Sequence, residues 1–141
     1  MKTKFDSLAQ LKKQDLNKSE IAIIANNNLL ASKLQALDTL LRELGEISVP
    51  KSGDFWDFKQ INELKKTLVY EMDLLRNEIA SIKQKAKKLQ ESYKIASIAY
   101  EKIKYLQETA IKQALRHLKI TEIKNLDEIS MMLFAPHKEN A

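Results

Sequence analysis

Leucine or isoleucine recurs every seven residues in the first third of the chain, at Leu16, Ile23, Leu30, Leu37 and Leu44. Leu34 and Leu41 interleave with this column at spacings of four and three, the mark of a helix with one apolar heptad seam. The earlier members of that second column are Glu20 and Asn27, the latter inside Asn26-Asn27-Asn28. The predicted seam is weakest there, and a seam asparagine reads as a register-setting polar contact. Phe5, Leu8 and Leu11 follow one another at i, i+3 and i+6, so the helix is expected to begin near residue 4. Continued to about Glu46, it would span roughly 65 Å.

A second apolar column begins with Ile61, Leu64, Leu68 and Met72, whose 4-4 step is a stutter in the heptad count. Leu75, Ile79, Ile82, Ala86, Leu89, Tyr93, Ala96, Tyr100 and Ile103 then alternate four and three without a break. Leu106, Ala110, Ala114 and Leu118 drift toward a spacing of four, which turns the stripe slowly round the helix. Asn125-Leu126-Asp127-Glu128 has the Asn-x-x-Glu form of a capping box, so a break followed by a short helix to Phe134 is an alternative ending. Residues 135–141, with Pro136, read as a frayed tail.

Both glycines and one of the two prolines lie between these columns, in Gly45 to Phe58. Gly45 can end a helix at positive φ, Pro50 biases Val49 away from helix, and Asp54 is placed to cap a new one, with Asp57 in its first turn. The predicted fold is all-α: a long two-helix antiparallel coiled-coil hairpin. Its expected parts are helix 1 at about 4–46, a turn at 47–54, and a longer helix 2 at 55–134. Helix 1 would cover helix 2 to about residue 96, with Phe5 and Leu8 beside residues 92–96. About 38 residues, roughly 57 Å, would be left without an intramolecular partner. A helix of that length is marginal unless its stripe is buried, so a second protein or a second copy is implied.

Composition agrees with a narrow seam: 44% of the 141 residues are hydrophobic, 6% aromatic and 30% charged. With no cysteine there is no disulfide framework. No apolar run at the start suggests a signal peptide, and Ile21 to Ala25, the longest such run, is far too short to span a membrane. A cytosolic protein is expected. The net charge of +5 points to an acidic partner, and with 21 lysines against 3 arginines it suits diffuse attraction better than bidentate recognition.

A two-helix seam has no concave interior in which catalytic groups could converge, and no Gly-rich phosphate loop is present, so an enzyme is not expected. His117 and His137 lack metal partners at ligand spacing, and neither metal nor cofactor is anticipated. Three surfaces stand out as candidates for binding. Lys83, Lys85, Lys87 and Lys88, continued by Lys94, Lys102 and Lys104, form a basic run that is either a solvated flank or a docking stripe. Phe55, Trp56 and Phe58 spread round the helix circumference, so at least one ring is exposed at the tip. Met131, Met132, Leu133 and Phe134 end the second column as flexible apolar contacts.

Taken in order, these features resemble the FliJ family of flagellar type III export proteins. Phe5-x-x-Leu8-x-x-Leu11-Lys12 is similar to that family's opening, Phe55-x-x-Phe58 to the Tyr-x-x-Phe that starts its second helix, and Lys124-Asn-Leu-Asp127-Glu128 to its basic-to-acidic ending. Where the family has tyrosines late in helix 1, this chain has Leu37, Leu41 and Leu44. The resemblance implies a non-enzymatic factor joining a hexameric export ATPase (FliI-like) to the cytoplasmic domain of an export-gate membrane protein (FlhA-like), with export chaperones as further partners. It would lie at the cytoplasmic face of the inner membrane. On this reading Leu41, Phe55, Trp56 and Phe58 face the gate, and Phe5, Leu8 and Met131 to Phe134 face the ATPase. A basic RNA-binding arm and a plain coiled-coil scaffold are the alternatives; steep log-linear salt dependence would mark the first.

Overall fold

A computed structural model describes residues 2–47 and 53–139, with side chains from 2–47 and 53–134. Two helices account for nearly all of it, α1 (Asp6–Glu46) and the longer α2 (Phe55–Glu139). They pack into two compact units, one made of Met1–Asp15 with Ser97–Ala141, the other of Leu16–Ala96. The turn expected at Val49-Pro50 lies outside the described residues.

Both helix starts are set by short polar side chains. At α1 the Thr3 hydroxyl accepts from Phe5 N–H at 3.2 Å, while Asp6 accepts from the Thr3 N–H at 3.0 Å and from the Thr3 hydroxyl at 2.7 Å. This reciprocal box satisfies donors that the first helical turn leaves free. At α2 Asp54 takes the expected capping role, its Oδ1 accepting from Asp57 N–H at 3.0 Å. Gly45 does not work as expected: α1 runs through it to Glu46, and no described glycine has positive φ. Ile47 N–H instead donates to Leu44 carbonyl at 3.4 Å, tightening the last turn. The alternative ending near Asn125 is also not adopted. α2 continues through Asn125 and Pro136 to Glu139, beyond the expected end at Phe134.

In the unit Leu16–Ala96 the helices run antiparallel. Asn26 donates from Nδ2 to the Ile82 carbonyl at 3.2 Å, and Lys33 Nζ meets Glu78 at 2.7 Å. The seam of α1 is not the one predicted. Its buried or half-buried positions are Leu16, Ser19, Ile23, Asn26, Leu30, Lys33, Leu37, Leu40 and Leu44, with Ala22 beside them, so the second column follows the first by three residues, not four. Leu34 and Leu41 are both 44% exposed, and the buried asparagine is Asn26 rather than Asn27. On α2 the seam runs Ile61, Lys65, Leu68, Met72, Leu75, Ile79 and Ile82 with no stutter, because half-buried Lys65 stands where Leu64 was expected. Its long apolar stem can line the seam while the ammonium reaches water.

The seams are thin: among the described residues the buried apolar side chains are Leu16, Leu68, Met72, Ile79 and Ile82 in the unit Leu16–Ala96, and Ala9 in the other. Most other seam side chains are half-exposed, as two helices without a third layer require.

In the unit containing both chain ends, Asp6 Oδ1 accepts from Gln107 Nε2 at 2.8 Å and Lys13 Nζ sits 5.2 Å from the centre of the Tyr100 ring. The start of α1 therefore lies beside Gln107, not beside residues 92–96. Half-buried positions on α2 end at Ala114, and every described side chain from Leu115 to Phe134 is exposed. That stretch of 20 residues is about 30 Å of unpartnered helix, shorter than predicted. The difference originates at the other end of α2, where Gly53 to Gln60 are exposed and the first half-buried seam residue is Ile61. Because the opening turns of α2 do not pair, α1 engages α2 further along its length.

Candidate interaction surfaces

The opening turns of α2 carry an aromatic cluster. Phe55 is 73% exposed, Trp56 63% and Phe58 37%. Phe55 and Trp56 meet edge to face at 6.2 Å, and Lys59 Nζ lies 5.2 Å from the centre of the Trp56 ring. Such rings present apolar area with little rotamer entropy to lose, the composition of an interface anchor. Phe55 and Trp56 are held by contact with each other, and Trp56 also by the Lys59 cation.

Leu41, expected with this group, is exposed on α1. It stands outside the seam that ends at Leu44 and Ile47.

The lysine run does not form one stripe. All four of Lys83, Lys85, Lys87 and Lys88 are exposed. At about 100° per residue, Lys83 and Lys87 share a side with Lys94, whereas Lys85 and Lys88 are turned well away. This is a basic girdle with one three-lysine row, suited to diffuse attraction.

Phe5 and Leu8, grouped in the sequence reading with the end of α2, stand apart from it along the helix, though closer than a start beside residues 92–96 would put them. Phe5 is half-buried and Leu8 39% exposed, and the adjacent Asp6 lies against Gln107. Met131, Met132, Leu133 and Phe134 are 72%, 74%, 62% and 64% exposed. They begin 24 residues beyond Gln107, about 36 Å along the helix. A partner contacting both groups would have to span that length.

Between them lies a second apolar row. A surface groove is lined by Lys112, Leu115, Arg116, Leu118, Lys119 and Glu122, and Leu126 and Ile129 follow, 63% and 52% exposed. Among the described residues no group of three His, Cys, Asp or Glu side chains could hold a metal ion, and no helix is long and apolar enough to cross a membrane.

The pKa of the Asp6 carboxyl is lowered, first by the Thr3 hydroxyl, then by the Gln107 amide and the Thr3 N–H, all of which donate to it.

The family model described as "Flagellar FliJ protein" matches residues 1–139. The chain belongs to the FliJ family. Comparison with curated proteins and with solved structures yields no match. FliJ membership makes this a coiled-coil protein of flagellar export, in agreement with two packed helices of which the second is longer. Within that FliJ frame, sequence reasoning missed the box at Thr3 and Asp6, although Thr-x-x-Asp before an apolar column carries its signature. It also missed Gln107, which only the register between the helices brings to Asp6.

Proposed function

We propose that this FliJ-family chain is a non-enzymatic, cytoplasmic component of the flagellar type III export apparatus that couples the export ATPase ring to the membrane export gate. Family membership carries the reading, and the unpartnered helix from Leu115 onward gives it physical content. A single helix, about 10 to 12 Å across with its side chains, is slim enough to engage the centre of a hexameric ring. The exposed rings of Phe55, Trp56 and Phe58 form the gate-facing surface. Hence one helix, α2, carries both contacts and transmits displacement between them. Escort of substrate chaperones fits the exposed apolar positions Ile98, Tyr105 and Leu106, which line a second surface groove with Ser97, Glu101 and Lys102.

The test is affinity purification of the tagged chain from a flagellated host after cross-linking at single cysteines, one replacing Trp56 and one replacing Leu126. The expected result is the export-gate protein cross-linked at the first position and the export ATPase at the second. Recovery of neither protein at either position refutes the coupling role.

A further inference from the structure

Leu34 and Leu41 belong to a heptad stripe of α1 that α2 does not cover. With Ile24 and Ala31 they keep the 3-4 alternation through Asn27 and Asp38, from residue 24 to residue 41. Ile24, Leu34 and Leu41 are exposed, and so is Ala31. The stripe lies on average about 100° round α1 from the seam of Leu30, Lys33, Leu37 and Leu40. In this unit α1 is thus apolar on two adjoining sides, more than one partner helix covers.

Across the seam from this stripe, α2 is basic. The contacts of Asn26 with Ile82 and of Lys33 with Glu78 set Asn27 level with Lys83 and Leu34 level with Arg76. Lys33 and Glu78 join at one edge of the seam, and Leu34 and Arg76 flank the opposite edge. On that side Arg76, Lys83, Lys87 and Lys94 form a row, all within about 40° of one another round α2. Lys83, Lys87 and Lys94 are exposed, and no ion pair among the described residues engages them. Two of the nearby carboxylates are already paired, Asp38 with Arg42 and Asp73 with Arg76. Glu20, beyond the end of the stripe, is the other acidic residue on this side.

We propose that this face takes an acidic amphipathic helix of another protein, laid along the groove between α1 and α2. The 3-4 spacing of the stripe is the one a packed helix reads, and its length of about 25 Å matches five helical turns. The apolar side of the incoming helix covers Ile24, Ala31, Leu34 and Leu41, and its carboxylates reach Lys83 and Lys87. The lysine row selects the sign of the partner, because a basic helix would be repelled by it and a neutral one would leave it without counter-charge. A second copy of the chain does not meet that requirement: a two-fold contact sets the same patch on both sides, bringing two lysine rows into one interface with no acidic row to meet them. Nucleic acid would meet the lysines and leave the apolar stripe uncovered. One helix in one groove is a small contact, so the association is transient and weakens with salt. The face is separate from the aromatic cluster of Phe55, Trp56 and Phe58 and from α2 beyond Ala114, and the proposal depends on neither of those assignments.

The test is fluorescence anisotropy of a labelled synthetic helix of about 20 residues, with leucines at heptad spacing and glutamates on its flanks, titrated with the full chain. Saturable binding that weakens with salt is expected, and none by the same peptide with lysines in place of its glutamates. Reversing Lys83→Glu and Lys87→Glu together should lower the affinity about tenfold, since two flanking attractions become repulsions. Lys85→Glu with Lys88→Glu makes the same change of net charge on the other side of α2 and should have little effect. Leu34→Ala should also cost about tenfold. All five positions are exposed, so helicity by circular dichroism should be unchanged. Absence of binding, equal losses from the two lysine pairs, or an unchanged affinity for Leu34→Ala each overturn the proposal. So do single-stranded RNA that outcompetes the peptide through Lys83 and Lys87, and a dimer in sedimentation equilibrium that Leu34→Ala abolishes.

Discussion

Replacing Asn26 with leucine should stabilise the protein while loosening the register of its two helices. Asn26 is 6% exposed, and its amide donates to the Ile82 carbonyl at 3.2 Å. Losing that hydrogen bond costs about 1 kcal/mol. The Ile82 carbonyl keeps its bond within α2, so no buried acceptor is orphaned. Burying a leucine side chain in the same layer contributes about 1.5 to 3 kcal/mol. The balance favours leucine by about 1 kcal/mol, an upward shift of about 4 °C in Tm for a chain of this size, read by thermal circular dichroism. The register is read by a short bifunctional maleimide joining Lys33→Cys and Glu78→Cys, with no native cysteine to interfere. Its yield should fall in the Asn26→Leu background, where registers shifted by a heptad become competitive. A lower Tm with an unchanged cross-linking yield would refute this account of Asn26.

Three further outcomes follow from the same geometry. The side chain of Leu37 is half-buried in the seam and that of Leu34 is 44% exposed, so Leu37→Ala should cost about 2 kcal/mol and Leu34→Ala less than about 0.5 kcal/mol by denaturant melts; equal costs would contradict the seam phase. The lowered Asp6 carboxyl makes its contribution to stability fully present above the ordinary aspartate pKa of about 3.9 and lost as pH falls through its folded value. Gln107→Ala should move the Asp6 titration upward by NMR, and an unmoved titration would remove the contact with α1. Trp56→Ala should leave stability within about 0.5 kcal/mol but lower affinity for the gate's cytoplasmic domain in a direct binding assay; a sharp loss of Tm with unchanged affinity would make Trp56 a structural cap.

The two long helices were legible because heptad spacing and the clustering of glycine and proline are local signals, and Asp54 was readable as a cap for the same reason. The phase of the α1 seam was misread from Leu34 and Leu41, the most apolar pair in view. Carried from Phe5 to Ile47, the column through Lys12, Ser19, Asn26, Lys33 and Leu40 has apolar residues at both ends and no acidic one. The rival column includes Asp6 and Glu20. Whole-helix consistency therefore decides where a two-heptad window misleads. The extent of overlap was not legible, because it depends on how many turns of α2 precede the first paired layer. At least one exposed ring among Phe55, Trp56 and Phe58 could be predicted, and so could a gap between Phe5 and Leu8 and the end of α2; only the size of that gap, shortened by the contact of Asp6 with Gln107, follows from the register.

The central claim is that α2 beyond Ala114 acts on the export ATPase. The most direct measurement is ATP turnover by the purified export ATPase with the full chain and with a chain ended after Asn125. The residues removed include only exposed described side chains, so the thermal stability of the shortened chain should be nearly unchanged. The account predicts stimulation by the full chain and none by the shortened one, whereas equal stimulation by both would contradict it.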